Sequence, residues 1–235
     1  MFELPIAGTN ERYTINPSKI IALGLNYDEH VRESHFLKTK HYNPERPAEP
    51  ILFAKTPNVL IGPDEAIVLP AILKEYQFED PRVDYEPELA VIIKDRCKNV
   101  PAEEAYSHIY GYTCMNDVSQ RNFQTTDKSG WFRGKSLDTF GPVGPVVVRH
   151  EEIGDPQNLQ IICRLNGEKV QEGNTGMMIF RIPEIIAFIT RQFTLEAGDI
   201  IATGTPNGVG RLHDGDIVEV EIEKIGVLRN PVVEE

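Results

Sequence analysis

Short apolar segments separated by turn residues recur along most of the chain. Segments of this length, rich in β-branched and apolar residues, are typical of β-strands. Asn166-Gly167 lies between two of them and favours a two-residue hairpin turn. The predicted strands are 12–15, 19–23, 51–55, 66–69, 86–94, 109–117, 143–148, 159–165, 168–171, 199–202 and 216–223.

Helical signals are few. Asn26 and Glu29 have the spacing of a capping box, so we predict a helix that begins near Asn26 and ends before Lys38. Pro183 stands in the first turn of a second predicted helix, 182–191.

The pattern therefore predicts a mainly β fold with short helices, of the α+β class. We divide the chain into a short N-terminal segment, residues 1–18, and one larger domain, residues 19–235. Within this domain, residues 26–50 are predicted to form a lid. The second half of the lid, 38–50, is polar and contains three prolines, which is typical of a mobile surface loop.

Composition excludes several classes of partner and location. The chain has 235 residues and a formal net charge of −12, which argues against nucleic acid or an anionic membrane as partner. No apolar run approaches the ~20 residues of a membrane span, and no signal peptide is evident. The three cysteines are far apart and indicate reduced thiols rather than a disulfide framework. We expect a cytoplasmic protein.

Two carboxylates, Glu86 and Glu88, begin the predicted strand 86–94. Residues two apart on a strand share a face, so both side chains point the same way. The strand is apolar on both faces, and two buried anions are costly unless a cation compensates them. Asp117, at the end of strand 109–117, is placed to supply a third oxygen. An all-oxygen set suits Mg²⁺ or Mn²⁺. The alternative, and the commoner role of such a pair, is a solvated sheet edge.

His30 and Glu33 are three residues apart on the first predicted helix, so their side chains can meet. A histidine oriented by a carboxylate is a common general base for activating water. The alternative is an ordinary exposed pair on an acidic helix. The position of the His30–Glu33 pair, between a strand end and a proline-rich loop, favours the catalytic interpretation.

The segment 204–210, GTPNGVG, follows the predicted strand 199–202. Its glycines allow backbone N–H groups to approach an anion, with the Thr205 hydroxyl beside them. A tight turn between strands explains the segment equally well. Lys55 ends an apolar strand and Lys135 stands among turn residues, where either could offset the carboxylate charge or lie on the surface. No GxSxG, HExxH or GxGxxG motif is present.

Six segments, taken in order, resemble the fumarylacetoacetate hydrolase (FAH) family, over roughly residues 19–225. The most similar branches are the acylpyruvate hydrolases and the 2-hydroxyhepta-2,4-diene-1,7-dioate isomerases. One such motif is weak evidence, whereas six in the same order are specific. Residues 36–50 depart from the family pattern and leave the substrate size open. The segments are GLNYDEH (24–30), FAKTP (53–57), YEPEL (85–89), GYTCMNDVSQRNFQ (111–124), GKSLD (134–138) and GTPNGVG (204–210).

The resemblance implies the mixed β-sandwich roll of that family and a homodimer. It implies Mg²⁺ (or Mn²⁺) as the cofactor, with a small 2-oxo acid as the substrate. The implied metal ligands are Glu86, Glu88 and Asp117, and the implied catalytic residues are His30, Glu33 and Lys135. The residues implied or proposed to contact the substrate are Arg121, Gln124, Thr205, Lys55 and Gly204.

These expectations favour C–C bond hydrolysis of acylpyruvates of the fumarylpyruvate or acetylpyruvate type, through a metal-bound enolate. The complete His30–Glu33 pair supports hydrolysis because only hydrolysis requires an activated water. The alternatives are a 2-hydroxyhepta-2,4-diene-1,7-dioate isomerase or an oxaloacetate decarboxylase or tautomerase. A non-catalytic domain that binds a metal or small acid is a more remote alternative. A dioic substrate would need a further cation, for which the lid offers Arg32, Lys38, Lys40 and Arg46.

Overall fold

Short strands predominate in the computed structural model, which describes residues 2–33, 46–128 and 130–235. The strands are β1 (Phe2–Pro5), β2 (Arg12–Ile15), β3 (Ile20–Gly24), β4 (Ile51–Lys55), β5 (Leu60–Ile61), β6 (Ile67–Leu69), β7 (Val83–Tyr85), β8 (Pro87–Ile93), β9 (Ile109–Asn116), β10 (Ser119–Gln120), β11 (Gly141–Arg149), β12 (Gln160–Leu165), β13 (Glu168–Asn174), β14 (Ile200–Ala202), β15 (Gly210–Arg211), β16 (Ile217–Ile222) and β17 (Gly226–Glu234). The helices are α1 (Asp28–Glu33), α2 (Arg121–Thr126), α3 (Phe132–Lys135), α4 (His150–Ile153) and α5 (Ile182–Gln192), with 3₁₀ helices at Pro57–Val59, Ala71–Lys74, Ala102–His108 and Thr175–Met177.

The largest sheet has the strand order β4-β3-β14-β8-β9-β11-β5. It is mixed, because β14 runs parallel to β3 but antiparallel to β8. A second sheet has the order β13-β12-β16-β17-β6, and two small sheets, β1-β2 and β10-β7-β15, complete the described set.

Strand β8 lies at the centre of the molecule, and each of its residues is buried. Leu89, Val91 and Ile93 belong to one hydrophobic core, whereas Ala90 and Ile92 belong to another on the opposite face. This confirms that the strand is covered on both sides. The alternation also assigns the carboxylate-bearing face of β8 to the side of Ala90 and Ile92.

Helix α5 covers one of the two cores. Its buried isoleucines recur at the 3-and-4 spacing of a single helix face, and Pro183 lies in its first turn as predicted. The backbone N–H of Arg181 donates to the Glu184 side chain at 2.7 Å, which satisfies one free donor at the helix start. In the described residues, no helix has the length and apolar content needed to cross a membrane.

The predicted capping role of Asn26 is wrong. Helix α1 begins at Asp28, and the Asn26 amide instead donates to the carbonyls of Phe180 and Thr203 at 3.1 and 2.8 Å. Its Oδ1 accepts the N–H of Phe180 at 2.8 Å. The amide thus joins three segments that are far apart in sequence, a use that local spacing does not reveal. The middle of the predicted lid, residues 34–45, lies outside the described residues.

Strand β17 is the longest element that the pattern did not predict. Its residues Arg229, Asn230 and Pro231 interrupt the apolar alternation, and proline is disfavoured inside a sheet. The strand nevertheless pairs with β16 along most of its length, and the parallel ladder to β6 begins only at Val232. Pro231 therefore lies just beyond the end of that second ladder.

The packing of α5 predicts the cost of a core deletion. Ile186→Ala should lower the free energy of unfolding by about 2–5 kcal/mol, since Ile186 is fully buried and its loss leaves a cavity. Ile72→Ala is the matched control, because 42 % of Ile72 is exposed, and it should cost less than about 1 kcal/mol. Chemical denaturation of both variants measures the difference, and equal losses would contradict this packing.

Candidate active site

Three buried carboxylates meet at one end of the central sheet. Glu86 lies between β7 and β8, Glu88 is in β8, and Asp117 directly follows β9. Because β8 and β9 are antiparallel neighbours, the start of one lies beside the end of the other, and Asp117 N donates to Glu86 O at 2.8 Å. One oxygen from each carboxylate lies within 4.8 Å of the others. This cluster of hard oxygen donors fits a divalent ion such as Mg²⁺ or Mn²⁺.

The pKa values of Glu88 and Glu86 shift in opposite directions. Burial, together with the neighbouring charges of Asp117 and Glu86, raises the pKa of Glu88 well above its ordinary value. Burial would also raise the pKa of Glu86, but the Lys135 ammonium and the Arg121 guanidinium lower it overall. A cation beside Glu88 would favour its ionised form.

Two buried lysines partly compensate the carboxylates. Lys135 Nζ lies 2.5 Å from Glu86 Oε2 and 2.6 Å from Asp117 Oδ2, and Lys55 Nζ lies 2.5 Å from Asp117 Oδ1. Burial lowers the pKa of Lys55, although the Asp117 charge opposes the shift. Both lysines therefore offset the charge of the carboxylates, which is one of the two roles considered for them, and neither lies on the surface.

The contact of Lys55 also shows that the sheet is curled. Lys55 ends β4, and four strand spacings, ~19 Å in a flat sheet, separate β4 from β9. A lysine and an aspartate side chain together cannot span that distance. The strands must therefore curve around the face that carries the carboxylates.

A cavity of about 470 Å³ opens over the cluster. Its remaining wall includes the apolar side chains of Phe53 and Trp131. Asp117 and two predicted substrate-binding residues, Lys55 and Gly204, lie behind this lining, in contact with one another or with Glu88. Eight of the predicted site residues line the cavity, namely His30, Glu33, Glu86, Glu88, Arg121, Gln124, Lys135 and Thr205.

The His30–Glu33 pair faces the same cavity. His30 Nδ1 is 3.9 Å from Glu33 Oε1, an ion-pair separation longer than a hydrogen bond. His30 is buried, and its Nδ1 has no hydrogen-bond partner among the described residues. Partial burial would raise the pKa of Glu33, but His30 and the backbone N–H groups of Gly208 and Val209 lower it overall.

Backbone N–H groups of the segment 204–210, here called the glycine loop, bind anions as expected, but these anions are carboxylates of the protein itself. Gly208 and Val209 donate their N–H groups to Glu33 at 2.8 and 3.1 Å, and Gly204 N donates to Glu88 Oε2 at 2.7 Å. The loop therefore links the histidine pair to the carboxylate cluster. The Thr205 Oγ1 accepts from Gln171 at 2.9 Å, so its own O–H remains available as a donor.

Sequence reasoning missed Arg82 and Asp84, which also line the cavity. The buried Asp84 carboxylate accepts from Arg82 Nε at 2.7 Å and from Arg121 Nε at 2.8 Å. Strand periodicity could have identified both residues, because the two-residue alternation of Glu88 and Glu86 continues towards the N-terminus through Asp84 to Arg82.

Arg32 and Arg46, the lid cations within the described residues that we considered for the second carboxylate of a dioic substrate, do not line this cavity. Arg46 Nη2 donates to Ile179 O at 2.9 Å. Both Arg46 and Arg32 line a separate cavity. Lys38 and Lys40 lie outside the described residues.

The chain matches a known family over most of its length. The family profile described as fumarylacetoacetate (FAA) hydrolase, C-terminal, matches residues 19–233. The mitochondrial oxaloacetate tautomerase Fahd2a of Rattus norvegicus is 41% identical over 224 residues, which cover 92% of this chain and 67% of the rat protein. This confirms the resemblance seen in the motifs.

Solved structures show the same fold. A 2-hydroxyhepta-2,4-diene-1,7-dioate isomerase from Mycobacterium marinum is 37% identical, with a TM-score of 0.80 over 97% of this chain and 82% of that chain. Fumarylpyruvate hydrolase from Pseudomonas aeruginosa, in complex with Mn²⁺ and pyruvate, is 26% identical. Its TM-score is 0.85 over 100% of this chain and 96% of that chain. The predicted fold class is confirmed.

The raised pKa of Glu88 predicts a pH-dependent stability. In EDTA, Glu88→Gln should melt at least roughly 2 °C above wild type near pH 8, with the gap closing towards pH 5. A carboxyl whose folded-state pKa is raised stabilises the fold fully below its unfolded pKa of about 4.5 and loses that contribution as the pH rises through the folded value. Thermal melts across this pH range measure the effect.

The metal and an exposed carboxyl provide the controls for this prediction. With Mn²⁺ in excess the order should reverse, because the ion binds the ionised Glu88 and not the amide. Glu103→Gln, at an exposed position, should melt like wild type at each pH. Identical melting curves for wild type and Glu88→Gln in EDTA would contradict the assigned cause.

Proposed function

The chain belongs to the fumarylacetoacetate hydrolase family, and from that premise we propose that it is a divalent-metal-dependent enzyme acting on small 2-oxo acids. The proposed reaction is hydrolysis of the C–C bond of an acylpyruvate. One observation carries the proposal: Glu86 and Glu88 of the carboxylate cluster line the same cavity as the His30–Glu33 pair. Members of this family are enzymes of hydrolase, isomerase and tautomerase type.

Glu86, Glu88 and Asp117 would hold the ion, and their buried, mutually repelling charges fit a divalent cation. Once bound, Mg²⁺ or Mn²⁺ supplies Lewis-acid stabilisation of the negative charge that develops on a 2-oxo acid. The Mn²⁺ and pyruvate in the P. aeruginosa structure support this choice of ion and ligand class.

His30 supplies the general base. The His30 imidazole, which lines the cavity, accepts a proton from water, and the hydroxide adds to the carbonyl carbon distant from the carboxylate. Glu33, 3.9 Å away, stabilises the imidazolium that results. The C–C bond then breaks, and its electron pair passes to the pyruvate fragment as the enolate. The imidazolium returns its proton to the carbon of that fragment at which the bond broke, which restores His30 and gives pyruvate and a second carboxylic acid.

Lys135 and Arg121 orient the charged groups of the site. Lys135 bridges Glu86 and Asp117, and Arg121 Nη2 lies 2.6 Å from Glu86 Oε1. Each cation thereby restricts which oxygens Glu86 presents to an ion. Positioning of this kind is a means by which residues around a metal tune its ligands.

Oxaloacetate tautomerisation is the second candidate, favoured by the 41% identity to the rat tautomerase. It proceeds through the same type of enolate and exchanges a proton on carbon. It consumes no water, so the requirement for an activated water separates the two reactions.

An NMR time course tests the proposal. Acetylpyruvate and oxaloacetate are each incubated with the protein and Mg²⁺, then again with EDTA. Metal-dependent acetate and pyruvate from acetylpyruvate is the expected result. Accelerated enol–keto exchange of oxaloacetate, with acetylpyruvate unchanged, would move the assignment to tautomerase. No change in either substrate would contradict the enzyme proposal.

Replacing the base should separate catalysis from binding. His30→Ala should lower kcat for acetylpyruvate by about 10²- to 10⁴-fold, because the variant lacks the proton acceptor, while it still folds and binds Mn²⁺ and oxalate. Glu29→Ala is the control, since Glu29 is exposed on the same helix and should retain wild-type rates. Wild-type turnover by His30→Ala would remove His30 from the mechanism.

A further inference from the structure

Among the described residues, three lysine or arginine side chains line the cavity, and two of them direct their nitrogens at protein oxygens. Lys135 contacts Glu86 and Asp117. Arg121 directs Nε to Asp84, Nη1 to Gln124 at 3.0 Å and Nη2 to Glu86. Neither has a nitrogen left that is not already directed at a protein oxygen.

Arg82 is the third cation, and it differs from the other two. Its Nε donates to Asp84 at 2.7 Å, and within the described ranges its remaining guanidinium N–H groups have no partner. The side chain is 33% exposed, so these donors are accessible at the cavity wall. The Arg82 backbone N–H donates to Asn122 Oδ1 at 2.9 Å, which anchors the residue to α2.

The position of Arg82 relative to the carboxylates is set by the chain itself. Arg82, Asp84, Glu86 and Glu88 are alternate residues of the segment that runs from just before β7 into β8, and all four line the cavity. Four residues of extended chain separate Glu86 from Arg82, a span of at most ~13 Å. The cavity therefore holds both the carboxylate cluster's Glu86 and Glu88 and an available guanidinium, at most that distance from Glu86 along the chain.

We propose that Arg82, positioned by Asp84, binds the second carboxylate of a dicarboxylic 2-oxo acid and determines specificity for that class. The inference rests on the proposed function, since the 2-oxo acid end must lie at the carboxylate cluster. A guanidinium binds a carboxylate through two parallel hydrogen bonds, and a charge-assisted contact of this kind is among the stronger ones in proteins. Asp84 holds Nε and leaves the outer N–H groups of Arg82 to meet the ligand.

A matched pair of acids tests the inference by binding rather than by turnover. 2-Oxoadipate and 2-oxohexanoate share the 2-oxo acid end and chain length and differ in the distal carboxylate. Calorimetric titration of the Mn²⁺-loaded protein should show 2-oxoadipate binding roughly 10- to 100-fold more tightly. Arg82→Gln should abolish most of that preference by weakening 2-oxoadipate, with a far smaller effect on 2-oxohexanoate.

Two further variants sharpen the test. Arg211→Gln removes an equivalent charge from β15, where Arg211 pairs with Asp80 outside the cavity lining, and should keep the wild-type preference. Arg82→Lys retains the charge without the planar fork and should restore only part of it. Melting temperatures confirm that each variant is folded.

The outcomes separate this inference from the proposed function. Equal affinity of the wild type for both acids, or a preference that survives in Arg82→Gln, would overturn the role of Arg82 alone. If neither acid binds the Mn²⁺-loaded wild type, the role of Arg82 and the proposed function both fail. Loss of preference confined to Arg82 variants supports the assignment.

Discussion

Mutual repulsion among three buried carboxylates is the constraint on which the rest of the site depends. Glu86, Glu88 and Asp117 are each withdrawn from water, and their ligand oxygens lie within 4.8 Å of one another. Such an arrangement is unfavourable unless cations offset it. Two lysines, an arginine and the N–H of Gly204 provide part of the compensation. The raised pKa of Glu88 shows that the compensation is incomplete, which leaves a role for a divalent ion.

The curl of the central sheet follows from the same constraint. Lys55 reaches Asp117 only because β4 and β9 approach across the concave side of the sheet. That curvature also creates the cavity into which His30 and Arg82 project from other elements. The glycine loop then couples the parts, since it holds Glu33 through two N–H groups and Glu88 through a third. The contacts that hold the sheet and the glycine loop together therefore also position the residues of the site.

The carboxylate cluster was predictable because strand periodicity is local. Glu86 and Glu88 share a face by virtue of their spacing, and the same count, carried further back, includes Asp84 and Arg82. The partners of Glu33 and Asn26 were not predictable in this way. Glu33 is bound by N–H groups 175 and 176 residues away, and Asn26 bonds Phe180 and Thr203. Such contacts depend on tertiary packing, which also overrides the weak strand propensity of β17.

Binding of Mn²⁺ measured by electron paramagnetic resonance tests whether the buried carboxylates form a metal centre. The free ion gives a strong signal that is lost on binding, so titration of the metal-free protein yields the number of sites and their affinity. We expect one saturable site per chain, with a bound-ion spectrum that changes when oxalate is added. Absence of a stoichiometric site, or a bound-ion spectrum indifferent to oxalate, would contradict a metal centre that receives a 2-oxo acid.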